Sequence, residues 1–169
     1  ATAPSQVNLA GTIQTTNNTM SLGDAGTPIV LTANTILSGN TAGAITLGGT
    51  VNGGYSLTVN TTGTTTLSGD IGGNTALTTL TTNTGGTTVI SVDIETSSTQ
   101  TYNDAVTING TLDFTGSTVQ FANTLAGDDG TGDNLTISGA LDLDGAATSL
   151  TSLTVEGTSN LGADVTTSG

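Results

Sequence analysis

The chain has 169 residues and contains no Lys, Arg, His, Cys or Trp, while 13 Asp and Glu residues give it a net charge of −13. Without basic side chains it cannot neutralise phosphates, which argues against nucleic-acid binding and against an anionic membrane surface. Without His and Cys it lacks the most common general base and the thiolate nucleophile, which argues against an enzyme.

Short segments that alternate apolar and polar residues recur along the chain and are separated by Gly, Asn and Asp. Such period-2 alternation, in a chain rich in Thr with 25 Gly residues, predicts many short strands joined by tight turns, and hence an all-β fold. No run approaches the ~20 apolar residues that span a bilayer, so we expect no membrane insertion. The predicted strands centre on residues 29–31, 45–47, 57–59, 92–94, 106–108, 112–114, 119–121, 135–137, 141–143 and 153–155.

Five leucines fall at intervals of ten residues: Leu37, Leu47, Leu57, Leu67 and Leu77. A ten-residue interval accommodates one short strand and a turn, and its regularity favours a solenoid in which equivalent side chains stack. Two such units would form one coil of about twenty residues. We therefore predict one continuous parallel β-helix (β-solenoid) over residues 1–169, with tandem immunoglobulin-like β-sandwich domains as the alternative.

The sequence also resembles itself over a distance much longer than ten residues. Residues 14–18 are echoed by residues 100–104, and residues 57–59 by residues 135–137. The distance between the matching segments falls from 86 residues for the first pair to 78 for the second, which indicates deletions in the second copy. The predicted super-repeats are residues 1–92 and 93–169, and chance similarity within a Thr-rich chain is the alternative.

Three segments carry a resemblance to known proteins: GTTTLSGDIGG (residues 63–73), ALTTLTT (residues 76–82) and TQTYNDAV (residues 99–106). They resemble the repeat regions of large bacterial surface adhesins, of the filamentous-haemagglutinin and autotransporter-like kind. The resemblance implies a right-handed parallel β-helix, a cell-surface or extracellular location, and a fibrous or adhesive role, for instance in a biofilm matrix. It implies no catalytic residues.

The densest acidic run, between Asp128 and Asp133, is a candidate metal site. Its three carboxylates surround two glycines and offer the oxygen ligands that Ca²⁺ prefers, although the run matches neither the EF-hand nor the calcium β-roll pattern. The alternative is a solvated turn, since Asp and Gly are ordinary turn residues. A second acidic pair lies on one face of a predicted strand. The candidate ligands are Asp128, Asp129, Asp133, Asp142 and Asp144.

Two further functions compete with a purely structural one. Paired carboxylates such as Asp142 and Asp144, or Asp93 and Glu95, hydrolyse glycosides in some β-helix proteins, although the outward face of a strand explains them equally. Threonine pairs at residues 64–66, 79–81 and 99–101 suggest ice binding, which requires that they align from coil to coil.

We predict an extracellular structural or adhesive module, an elongated stalk or fibre segment without catalysis and without a required cofactor. Calcium or ice binding is the alternative, and a carbohydrate-active enzyme a further one. The expected partners are further repeats or copies of the chain and a host or matrix surface. Because chains of charge −13 repel one another, we expect their cohesion to depend on salt and divalent ions.

Overall fold

The computed structural model describes residues 6–129 and 131–168, which form strands and turns and no helix. In chain order the strands are β1 (Val7–Gln14), β2 (Met20–Leu22), β3 (Ile29–Ser38), β4 (Ile45–Leu47), β5 (Val51–Asn52), β6 (Leu57–Asn60), β7 (Thr64–Leu67), β8 (Leu80–Thr82), β9 (Thr87–Ile90), β10 (Ile94–Glu95), β11 (Thr99–Tyr102), β12 (Ala105–Ile108), β13 (Thr111–Phe121), β14 (Leu125–Gly127), β15 (Asn134–Leu143), β16 (Ala147–Leu150), β17 (Ser152–Val155), β18 (Ser159–Leu161) and β19 (Val165–Thr167).

The strands wind into a parallel β-solenoid of about seven turns. An 11-stranded sheet follows the order β1-β3-β6-β8-β11-β13-β15-β17, with β5, β10 and β18 paired beside it, and an 8-stranded sheet follows the order β2-β4-β7-β9-β12-β14-β16-β19. Every pair of these strands is parallel, and each joins neighbouring coils. The predicted parallel β-helix is confirmed, and the sandwich alternative is wrong because sandwiches are built from antiparallel sheets.

The larger sheet bends, so each coil has three faces. The long strands β3, β13 and β15 pair with different strands along their first and second halves, and the pairing register shifts between the halves of β1 and of β13. We call the first halves, with β5, β10 and β17, the first face. The second halves, with β6, β8, β11 and β18, are the second face, and the 8-stranded sheet is the third face.

Apolar side chains stack in rows inside the solenoid. One row on the first face holds one residue per coil, and its six central members are at most 1% exposed. Because each rung repeats the shape of the one before, the core continues without a break along the stack. The row consists of Val7, Ile29, Val51, Ile71, Ile94, Phe114, Ile137 and Val155.

Three aromatic rings cluster in this core. The ring of Tyr102 lies 5.9 Å from that of Phe114 and 5.1 Å from that of Phe121, centroid to centroid. The buried Tyr102 hydroxyl donates a 2.9 Å hydrogen bond to the side-chain oxygen of Gln100, whose amide donates in turn to the Thr115 carbonyl. The one phenolic group in the core is thereby satisfied.

The ten-residue leucine spacing matches the coil length at one step only: Leu47 pairs with Leu67, whereas Leu37 pairs with Val59 and Leu57 with Leu80. Leu37 and Leu57 lie on the second face, Leu47 and Leu67 are direct neighbours on the third, and all are fully buried. Coil length is not constant, however. It varies from 17 residues (Leu150 to Thr167) to 25 residues (Met20 to Ile45), so the ten-residue spacing does not hold along the chain.

The similarity between residues 57–59 and 135–137 joins different faces: Leu57 pairs along the second face, whereas Leu135 pairs along the first. The division at residues 92 and 93 therefore stays a sequence-based prediction, and both sheets run across it.

Candidate functional site

The acidic loop between β14 and β15 brings three of the predicted metal ligands together. One carboxylate oxygen from each of Asp128, Asp129 and Asp133 lies within 4.8 Å of the other two. Asp128 and Asp129 are exposed, whereas Asp133 is 1% exposed. Gly130, within this loop, lies outside the described residues. The loop therefore places one buried and two exposed carboxylates around one point.

The buried carboxylate of Asp133 is only half satisfied. Its Oδ1 accepts a 2.9 Å hydrogen bond from the Gly110 backbone N–H, while its Oδ2 is buried and has no hydrogen-bond partner among the residues that the structure describes. Gly127 makes room for it, because a Cβ at that position would lie 2.6 Å from Oδ2. The Asp133 carbonyl accepts a 2.8 Å bond from the Thr151 N–H, which ties the loop to the following coil.

The two exposed carboxylates are oriented by neighbouring polar groups. Asp129 Oδ1 accepts 2.8 Å hydrogen bonds from both the hydroxyl and the backbone N–H of Thr131. These two bonds, the hydroxyl first, lower the pKa of Asp129 below its usual value, so it is ionised at neutral pH. The Asn109 side-chain amide donates to Asp128 Oδ2.

The other two predicted ligands do not join this cluster. Asp142 lies on the outer side of the second face, where its oxygens accept hydrogen bonds from the Gln120 and Asn160 amides at 3.1 and 2.8 Å. Asp144 is exposed, two residues further along the chain. The prediction thus grouped five carboxylates of which the structure brings three together, and the Asp142 carboxylate is held by amides from both neighbouring coils.

A second acidic group lies on the first face; it contains the pair Asp93 and Glu95 named from the sequence, together with Asp70 and Asp113, which the sequence did not point to. Asp70, Asp93 and Asp113 occupy equivalent positions on three successive coils, since the residues that follow them are paired. The Asp113 N–H donates a 2.9 Å hydrogen bond to Asp93 Oδ1. With Glu95, these residues, here called the acidic ladder, line a cleft of about 240 Å³. Like charges at adjacent rungs repel, and the chain has no basic side chain to offset them.

Asp104 is a third kind of carboxylate, buried where the second face turns into the third. Burial raises its pKa above the usual value, although hydrogen bonds from the Gly86 N–H (2.8 Å) and the Thr88 hydroxyl (3.3 Å) act in the opposite direction. Its two oxygens are both bonded, so it fixes a corner of the coil.

The second face carries an array of threonines. Two of the three predicted threonine pairs, at residues 79–81 and 99–101, lie in register on neighbouring coils. The pair at residues 64–66 lies on the third face instead. One outward row contains Thr79, Thr99 and Thr118, and the next contains Thr58, Thr81 and Thr101.

The outer side of the third face has a row without any charge. This row has one residue per coil over seven coils, and its members are hydroxyl-bearing or small apolar residues. The row consists of Ser21, Thr46, Thr66, Val89, Thr107, Ala126 and Thr148.

No protein-family model, curated protein or solved structure matches this chain. The resemblance to adhesin repeats therefore stays a prediction. Within the described residues, no helix has the length and apolar character needed to cross a membrane.

Proposed function

We propose that the chain is a structural segment of an extracellular stalk or fibre, with adhesion as the role of the assembly and no catalysis of its own. The observation that supports this is the unbroken apolar row of the first face, from Val7 to Val155. Because each coil packs only against its neighbours, further coils can be added at an end without a change in the packing of the existing core. A rise of about 4.8 Å per coil makes these eight rungs roughly 34 Å long.

The last described coil supports growth along the same axis. Leu161 is 53% exposed and Val165 is 37% exposed, although their neighbours one coil earlier, Leu143 and Ala147, are fully buried. A further coil, from the continuing chain or from another copy, would cover both side chains and pair the free edges of β18 and β19. Unpaired strand edges favour such addition.

The test is the length of the particles as a function of protein concentration, measured by negative-stain microscopy and small-angle scattering. We expect end-to-end elongation at high concentration, favoured by salt because screening reduces the repulsion between chains of charge −13. Leu161→Asp combined with Val165→Asp should abolish it. Ile36→Asp, at a 39% exposed side chain on the lateral surface, is the matched control and should elongate normally. Compact particles of constant size at every concentration would contradict the proposal.

Ice binding is the second candidate, and the threonine array of the second face favours it. Six threonine side chains in two adjacent rows give a regular array of hydroxyls and methyls, with about 4.8 Å between coils. The test is thermal hysteresis and ice recrystallisation. Thr81→Tyr, at the centre of the array, should remove any activity, and Thr107→Tyr on the third face should not. Absence of thermal hysteresis in the unmodified chain would dismiss this candidate.

A further inference from the structure

The carboxylate of Asp133 needs a counter-charge that the chain does not supply. An ionised carboxylate that is 1% exposed is costly unless it is paired or bound to a metal. The chain contains no Lys, Arg or His, so no side chain can form an ion pair with it. From the described residues the Asp133 carboxylate receives one hydrogen bond, from the Gly110 N–H to Oδ1, which leaves Oδ2 unpartnered.

The neighbouring carboxylates add to this cost. One oxygen from each of Asp128 and Asp129 lies within 4.8 Å of an oxygen of Asp133, and like charges at such distances repel each other. A cation from solution resolves both difficulties, because it offsets the charge of the buried carboxylate and of the two exposed ones together.

The spacing of the oxygens fits one ion. Ligands bound to Ca²⁺ at 2.3–2.6 Å are separated by at most about 5 Å across the ion, and the three oxygens here lie within 4.8 Å of one another. The Asn109 amide on Asp128 and the Thr131 groups on Asp129 already orient these two carboxylates, as outer-shell partners do in metal sites.

We propose that Asp128, Asp129 and Asp133 bind one Ca²⁺ ion, with water completing its shell of six to eight oxygens. The ion would stabilise the loop between β14 and β15, and the Asp133 carbonyl already connects this loop to the following coil through its hydrogen bond from Thr151. Mg²⁺ fits less well, since it requires a near-octahedral shell and gives up its own waters reluctantly. The acidic ladder on the first face is not part of this site.

The test is calcium binding by isothermal titration calorimetry on chelator-treated protein, combined with thermal melts followed by circular dichroism. We expect one Ca²⁺ per chain with a dissociation constant of about 10⁻⁴–10⁻³ M, as in extracellular calcium modules, and a melting temperature that rises with CaCl₂. Asp133→Asn keeps an acceptor for the Gly110 N–H and should weaken binding at least about tenfold, since it removes a charged ligand. Asp128→Asn changes an exposed residue, so it gives the same readout if Asp133→Asn does not fold.

Asp113→Asn, in the acidic ladder, is the matched control: it removes one charge but should leave the affinity for Ca²⁺ within about twofold, since only long-range electrostatics changes. Three results would overturn the assignment. They are no heat of binding and no melting shift in about 10 mM CaCl₂, equal affinity for Mg²⁺, and loss of binding in Asp113→Asn with binding retained in Asp128→Asn.

Discussion

Truncation of Phe114 tests whether the stacked first-face row stabilises the solenoid. The Phe114 ring is fully buried, and its neighbours in the row are Ile94 and Ile137. Its centroid lies 5.9 Å from that of Tyr102 and 6.4 Å from that of Phe121. Burial of such a side chain contributes about 1.5–3 kcal/mol, and each aromatic pair adds about 0.5–1.5 kcal/mol.

Phe114→Ala should therefore lower the free energy of unfolding by about 3–5 kcal/mol, because it also leaves a cavity between the two neighbouring coils. Phe114→Ile should cost only about 1–2 kcal/mol, since four other coils carry Ile at this position of the row and stack without strain. Thr115→Ala, at the exposed next position, should change stability by less than about 0.5 kcal/mol.

The assay is equilibrium unfolding in urea followed by far-ultraviolet circular dichroism, with the midpoint and the slope compared between variants. An unchanged slope with a lower midpoint would assign the loss to the native packing. A loss below about 1.5 kcal/mol for Phe114→Ala, or an equal loss for Phe114→Ile and Phe114→Ala, would refute the reasoning from the row.

Three further substitutions have defined outcomes. Since burial raises the pKa of Asp104 in the folded state, the fold binds this proton more tightly than the unfolded chain, and stability falls as the pH rises above the ordinary value of 3.8. Asp104→Asn should thus stabilise the protein at pH 7 and lose that advantage below about pH 3 in thermal melts; equal gains at both pH values would contradict this. Asp93→Asn should raise the melting temperature at low ionic strength by relieving two repulsions in the acidic ladder, with a smaller effect in about 0.5 M NaCl, and a salt-independent effect would argue against charge repulsion. Gly72→Ala should lower the free energy of unfolding by at least about 2 kcal/mol more than Gly110→Ala in urea titrations, because both have positive φ but only the Gly72 Cβ would collide with the Glu95 carbonyl oxygen.

The fold class and eight of the nineteen strands could be predicted because their signals are local. Segments such as residues 45–47 and 57–59 alternate apolar and polar residues, and the leucine spacing matches the coil length between the paired residues Leu47 and Leu67. Three consecutive residues suffice to show which side chains face inward. The bend in β13 could not be read in this way, because an eleven-residue strand across two faces looks continuous in sequence.

The sequence does not show which side chains align on each face, because the number of residues per coil varies along the chain. Asp70, Asp93 and Asp113 are separated by 23 and 20 residues, so they align only once the length of each coil is known. The same holds for the threonine pairs, whose unequal spacing conceals the alignment of residues 79–81 with residues 99–101. Nor does sequence distinguish Asp133 from Asp128: they have the same side chain in the same loop, and only the packing of Gly127 shows which is buried.

The variation in coil length has a consequence for sequence comparison. Insertions and deletions change the number of residues per coil between 17 and 25, while each inward-facing residue still stacks on its partner in the next coil. A search for a fixed period therefore loses alignment within two or three coils, although the core remains aligned throughout. Relatives of such a chain are better sought by scoring inward rows with a freely variable gap at each corner than by matching repeats of constant length.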